Sequence, residues 1–140
     1  MTCVFCPDNW DNLDAVEGGP VTMGYSHGRV LIIRPLDPVT PGHVLLIHEK
    51  HGQDFTSNYD VARDLAANAA RYTREQQTLH GTQFNIITSI GPAATQTVLH
   101  THLHVVPRVE GDGLPLPWTP QHEAKALAER RRKAEEALWP

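Results

Sequence analysis

Apolar residues gather in short runs along the chain, with one longer stretch set at a different period. Val21–Ser26 and Arg29–Arg34 flank His27-Gly28, the pattern of a hairpin. "HVLLIH" (43–48), "TQFNIITSI" (82–90) and the run from Val98 to Val106, which Pro107 closes, are each of strand length. From Asn58 to His80 the step changes to three and four. Val61, Leu65, Ala69, Tyr72 and Leu79 recur there with Gln76 in the same row, which predicts one long helix. Ser57 and Asp60 resemble a capping box at its start, and Gly81 is a natural residue just past its end. Residues 121–139 predict a second, charged helix with Ala124, Leu127, Arg131, Ala134 and Leu138 along one side. Gly, Pro and polar residues break up 7–20, 36–42, 91–97 and 110–120, which read as loops.

Five strands with one segregated long helix define an α+β domain whose consecutive strands pair antiparallel. A chain of 140 residues suffices for one such domain with a real core. The main body falls at about 20–110, and a tail carrying the second helix at 111–140. Leu65, Tyr72 and Ile86 are read as core. Net charge is -4 with His neutral, which argues against a generic nucleic-acid binder. The basic run Arg130–Lys133 is read as a solvated face balanced by its glutamates. No apolar run approaches the ~20 residues of a membrane span. The start, "MTCVFCPDNW", has neither the charged nor the apolar region of a signal peptide. The expected location is the cytoplasm, where thiols stay reduced.

Candidate chemistry concentrates in histidine. Nine are present, most of them within 43–51 and 100–104. In "HTHLHVVPR" (100–108), strand alternation puts His100, His102 and His104 on one face and Thr101, Leu103 and Val105 on the other, toward a core. A row of imidazoles suits metal binding, acid–base work or nucleophilic attack. His43 and His48 lie five apart on a strand and so face opposite sides. Cys3 and Cys6 form a C-x-x-C at the N-terminus, which reads as a redox pair, as two plain thiols, or, better suited to its place before Pro7 and a polar loop, as half of a zinc site that histidines from 43, 48, 51 or 100–104 would complete. The loop "GPAATQT" offers close backbone approach at Gly91, Ala93 and Ala94 and polar groups at Gln96 and Thr97, a setting for an anion.

These residues together resemble the histidine triad (HIT) superfamily. Its signature of three histidines alternating with apolar residues reads here His100-Thr101-His102-Leu103-His104-Val105-Val106, with Thr101 off-pattern. Gly91, Gln96, Thr97 and Val98 before it, Pro107-Arg108 after it, "DPVTPGHVLLI" and "CVFC" also match family features, over about residues 3–110. The resemblance is to the bacterial Hint-like, zinc-containing branch. It implies a five-stranded antiparallel sheet with one long helix, in a homodimer. It implies nucleotidyl hydrolase or transferase chemistry on a nucleoside phosphoramidate or dinucleoside polyphosphate, through a covalent nucleotidyl-histidine. Carried over residue by residue, His102 is the nucleophile, His104 contacts phosphoryl oxygens, His43 sits beside the nucleophile, and Gln96 and Thr97 hold phosphate. Cys3, Cys6, His51 and His100 map onto a structural zinc site, and no organic cofactor is implied. His48 falls where the family usually has Pro and is expected to be bland.

The sequence also departs from the family. Pro35 stands where an acidic residue often grips the ribose, and Asp37 is the candidate to compensate. Ser89 replaces a frequent Asn, and Thr95 a usual Gly. Two rival readings accompany the enzyme. One is a metal hydrolase ligated by all three triad histidines, which would have to converge from a span of about 13 Å. The other is a nucleotide-binding protein with little or no catalysis.

Overall fold

The computed structural model describes residues 3–17 and 27–138. The chain divides into two compact units, residues 1–110 and 111–140. Among the described residues, the first unit holds four strands and the long helix. They are β1 (Val30–Ile33), β2 (Val44–His48), α1 (Tyr59–His80), β3 (Gln83–Ile87) and β4 (His102–Arg108). The sheet runs β1-β2-β4-β3 with every pair antiparallel. Four strands are therefore seen where five were expected. The fifth, Val21–Ser26, lies outside the described residues.

Strand alternation gives the sheet two distinct faces. Val30, Ile32, Val44, Leu46, Leu103 and Val105 pack against Val61, Leu65 and Ala69 of α1. Leu31, Ile33, Leu45 and Ile47 point the other way and are covered by Phe5 and Trp10 from the N-terminal segment. That segment was read as loop, yet Pro7–Asn12 forms a 3-10 helix. Pro7 presets its first turn, and burying Trp10, whose Nε1 donates to the Phe5 carbonyl at 2.9 Å, repays the ordering.

α1 begins one residue later than its capping pattern suggests. Asn58 is the cap, and its side chain accepts from the N–H groups of Asp60 and Val61. Ser57 is spent in the preceding turn, where its hydroxyl accepts from Asp54 N. Gly81 ends the helix in the left-handed region at φ 68°, as expected. The apolar stripe is buried only in its first half, and Leu79 is exposed. A helix of 22 residues spans about 33 Å, whereas the longest strand, of seven residues, spans about 23 Å, so the last turns overrun the sheet. Ile86, read as core, is also half exposed, because β3 is an edge strand.

Pro107 does not close its strand, since β4 runs through it to Arg108. Its carbonyl accepts from Thr40 Oγ1 at 3.0 Å. Its nitrogen therefore faces the same side, beyond the end of β2, where no ladder bond is lost.

In the second unit, α2 (Thr119–Leu138) is exposed from 120 to 137. Arg132 bridges Glu129 at 2.8 Å and Glu136 at 2.5 Å, so the basic run is balanced by glutamates on its own helix. Among the described residues, no helix is long and apolar enough to cross a membrane.

The capping geometry separates two neighbours. Asn58→Ala should cost about 1 kcal/mol of unfolding free energy in urea, and Ser57→Ala clearly less.

Candidate active site and metal centre

His102 and His104 lie on the sheet face opposite α1, beside their β2 partners Ile47 and Leu45. Their rings are 5.2 Å apart, centroid to centroid. His100 shares neither strand nor row, because β4 begins only at His102. The segment 98–101 is a turn, and it aims the His100 ring at the N-terminal cysteines. A single ion ligated by all three triad histidines is therefore not the arrangement found.

Obligate donors and acceptors fix the protons on these rings. The His102 Nδ1 lies 2.6 Å from the His100 carbonyl, which can only accept. Nδ1 of His102 therefore carries the proton, and Nε2 keeps an open lone pair. Val39 N–H donates to His43 Nδ1 at 3.2 Å, so neutral His43 carries its proton on Nε2. That proton points at His104 Nδ1, 3.1 Å away, which leaves His104 with a donor at Nε2. Burial keeps His43 below its usual value. Burial, then the nearby His102 and His43, push His104 down to about 4. The face thus presents one imidazole lone pair, on His102, next to one imidazole N–H donor, on His104.

Four donor groups gather beside this pair. Cys3 Sγ lies 3.4 Å from His100 Nδ1, and Cys6 Sγ lies 3.7 Å from the same atom and 3.5 Å from His51 Nδ1. All four ligand atoms fall within 4.8 Å of one another. Bond lengths of about 2.0–2.3 Å to a tetrahedral zinc put neighbouring ligands roughly 3.3–3.8 Å apart, so the set fits that ion. His100 is turned for the purpose. Its Nε2–H is given to the His48 carbonyl at 2.7 Å, which leaves Nδ1 as the lone pair facing the sulfurs. Burial holds this ring neutral, with its value lowered to about 4. Burial, then Cys3 and Asp8, push the Cys6 thiol up, a repulsion that a divalent cation between the sulfurs would reverse.

His48 is not bland. It is fully buried, takes Lys50 N–H on Nδ1 at 3.0 Å and gives Nε2–H to Asp64 of α1 at 3.1 Å. Asp64 also accepts the His27 N–H at 2.6 Å. Gly28 is compelled by this packing, since a Cβ there would sit 2.6 Å from the His48 ring. The sequence signal for the network was Asp64 itself, a charge set between Val61 and Leu65 on the core side of a helix.

Gln96 and Thr97 are placed differently from each other. The Gln96 amide is buried and engaged: Oε1 accepts from Gly91 N, and Nε2 donates to the Gln53 and Val98 carbonyls. A phosphate contact by that side chain would break one of these bonds. Thr97 and Asp37 are exposed. Thr101, the off-pattern residue, is buried and binds the carbonyls of Gly52 and Asp54, so with Gln96 it ties the loop after His51 to the histidine strand. Thr95 sits in the left-handed region at φ 67°, where its branched side chain is strained and Gly would not be.

The comparisons agree with this geometry. The HIT domain family model matches residues 20–111. An uncharacterized HIT-like protein of Mycobacterium tuberculosis is 36% identical over 123 residues, covering 81% of this chain and 76% of that protein. The solved structure of a Zn-bound histidine triad family protein from Mycobacterium smegmatis superposes with a TM-score of 0.66 at 35% identity, covering 83% of this chain and 81% of that one. A HIT family hydrolase from Clostridium thermocellum gives a TM-score of 0.59 at 28% identity, with 83% and 98% covered. A four-stranded antiparallel sheet with imidazoles on its open face, joined to this family match, makes the chain a member of the HIT domain family.

The suppressed value of His104 has a stability consequence. Between about 6.5 and about 4 the unfolded chain takes up a proton that the folded ring refuses. The stability is full above that window and falls as pH drops through it. Urea unfolding at pH 7 and pH 5 should show this loss, and His104→Gln should show a smaller one, with the remainder coming from the other buried imidazoles, His100 and His43.

Proposed function

We propose that the protein is a nucleotidyl hydrolase or transferase that cleaves a nucleoside phosphoramidate or dinucleoside polyphosphate at the α-phosphorus. The observation that carries this reading is the 2.6 Å bond from His102 Nδ1 to the His100 carbonyl. It holds the imidazole in the tautomer that leaves Nε2 open as the nucleophilic lone pair. Nε2 attacks phosphorus, the phosphorus–nitrogen bond forms, and the bond to the leaving group breaks with its electron pair. Water then attacks phosphorus as the phosphorus–nitrogen bond to His102 breaks, its electron pair returning to Nε2; one water proton passes to solvent, matching the proton the departed leaving group takes up, and the nucleoside monophosphate is released. His104, through its Nε2–H, donates to a phosphoryl oxygen as negative charge grows there. His43 keeps His104 in that tautomer through the 3.1 Å contact. Thr97 contributes an exposed hydroxyl for phosphate, and Asp37, also exposed, is the acidic candidate for the nucleoside.

Cys3, Cys6, His51 and His100 would hold a zinc ion in a closed set of four ligands, the mark of a structural site. When bound, the ion cross-links the N-terminal segment to the strand of the nucleophile. Metal thiolates suit a reducing compartment, which supports the cytoplasm.

The fold also offers a surface for a second copy. No described strand pairs with the outer side of β3. Ile86, Ile87 and Ile90 are exposed along it, and pairing two such edges would bury them in a homodimer.

Wild type should hydrolyse a fluorogenic adenosine phosphoramidate and show a nucleotidyl adduct in the intact mass. His102→Ala should lose both, by at least about a thousandfold in kcat. Turnover that survives in His102→Ala, or binding without turnover or adduct in wild type, would refute the covalent reading, and the second result would favour a nucleotide-binding protein. Light scattering should give twice the chain mass, shifting toward one with Ile86→Lys.

A further inference from the structure

Phe5 stands between the two cysteines of the N-terminal motif, where the metal loop meets the candidate nucleophile. Its ring is 8% exposed and packs with Leu31, Ile33, Leu45 and Ile47. It also meets two imidazoles edge to face. The His102 centroid is 5.4 Å away at 74° between planes, and the His100 centroid is 6.2 Å away at 88°. These are favourable aromatic geometries. The backbone that carries the ring is fixed on both sides. Cys6 N–H closes a turn onto the Cys3 carbonyl at 3.0 Å, and the Phe5 carbonyl takes Trp10 Nε1–H at 2.9 Å.

The chemistry assigned to His102 depends on which ring nitrogen looks outward. A flip of the imidazole would give up the 2.6 Å bond to the His100 carbonyl and turn the protonated nitrogen toward substrate. The rings in contact with it are His104 on one side and Phe5 on another. We infer that Phe5 is a positioning residue for His102: its ring edge, delivered by the Cys3–Cys6 loop, holds the imidazole in the orientation that leaves Nε2 open. The inference rests on the role of His102 proposed above. It links the candidate metal site to the nucleophile, since the Cys3–Cys6 loop brings Phe5, and His100, one of the four residues that would hold the ion, supplies the carbonyl.

Filling the core is the competing role, and Phe5→Leu separates the two by keeping apolar volume without a ring edge. The experiment uses zinc-loaded, 15N-labelled full-length protein as wild type, Phe5→Leu and Phe5→Tyr. Three readouts are taken: zinc per chain, the His102 imidazole 15N shifts with the exchange rate of its Nδ1–H, and kcat with KM on the fluorogenic phosphoramidate. Phe5→Leu should keep its zinc. Its Nδ1–H should exchange about tenfold faster and its 15N shifts should move toward a mixture of tautomers. Its kcat should fall about tenfold with KM within about twofold, a change of ~1.4 kcal/mol. Phe5→Tyr should restore both. A wild-type Nδ1–H lifetime and tautomer in Phe5→Leu would overturn the inference and leave Phe5 as core. Loss of zinc from Phe5→Leu would overturn it too, by placing the ring's effect on the metal loop. If wild type itself shows neither turnover nor adduct, the proposed reaction fails, while the exchange rates still decide the role of Phe5.

Discussion

The arrangement of the site hangs on one residue held at both ends. The ring of His100 gives its Nε2 proton to the His48 carbonyl, and its own backbone carbonyl takes the Nδ1 proton of His102. Each bond settles a tautomer on the far side. The first frees His100 Nδ1 to face the cysteines, and the second frees His102 Nε2 to face outward. His48 is in turn fixed by Asp64 of α1, so the chain of constraint runs from the buried side of the long helix, through β2, to the open face of the sheet. None of these bonds is exposed to competition from water at its anchor, since His48 and His100 are fully buried.

The sheet separates stability from chemistry by alternation alone. Odd positions of β4 hold Leu103 and Val105 against α1, and even positions hold His102 and His104 over the other face. That second face is divided again. Toward β1 it is covered by Phe5, Trp10 and the 3-10 helix, and toward β3 it is bordered by the partly exposed Ile87, whose strand partner is His104. His102 and His104 sit on the boundary between the packed part of that face and its open side. Burial at that boundary, with the neighbouring imidazoles, is what keeps His104 neutral far below the ordinary range of histidine.

Much of this was legible in the chain. The long helix, the approximate places of the four described strands, the opposite facing of His43 and His48 and the HIT resemblance all follow from periodicity and motif, and the Cys3–Cys6–His51–His100 cluster forms as the resemblance implied. The misreadings share a cause. Ser57 was chosen as a cap by pattern, but its hydroxyl serves the preceding turn and Asn58 takes the role. Leu79 and Ile86 fit apolar periods, yet a helix overruns its sheet and β3 has no described strand on its outer side, and neither fact is written locally. His48 was set aside because its partner, Asp64, is sixteen residues away on another element. Gln96 matched a motif, but its amide donates to the carbonyl of Gln53, 43 residues earlier, and to that of Val98. Periodicity reports which face a residue takes. It does not report what waits there.

The alternation of β4 also governs how this protein can change in length. Thr101 is bound to the carbonyls of Gly52 and Asp54 at one end of the strand, and the Pro107 carbonyl is bound by Thr40 at the other. One residue inserted or deleted between these anchors would exchange the faces, driving imidazoles into the packed core and Leu103 and Val105 out over the site. The strand can therefore vary by substitution but not by indel. The turn at Pro92–Thr95, exposed and already strained at Thr95, is where the same chain can absorb a change in length.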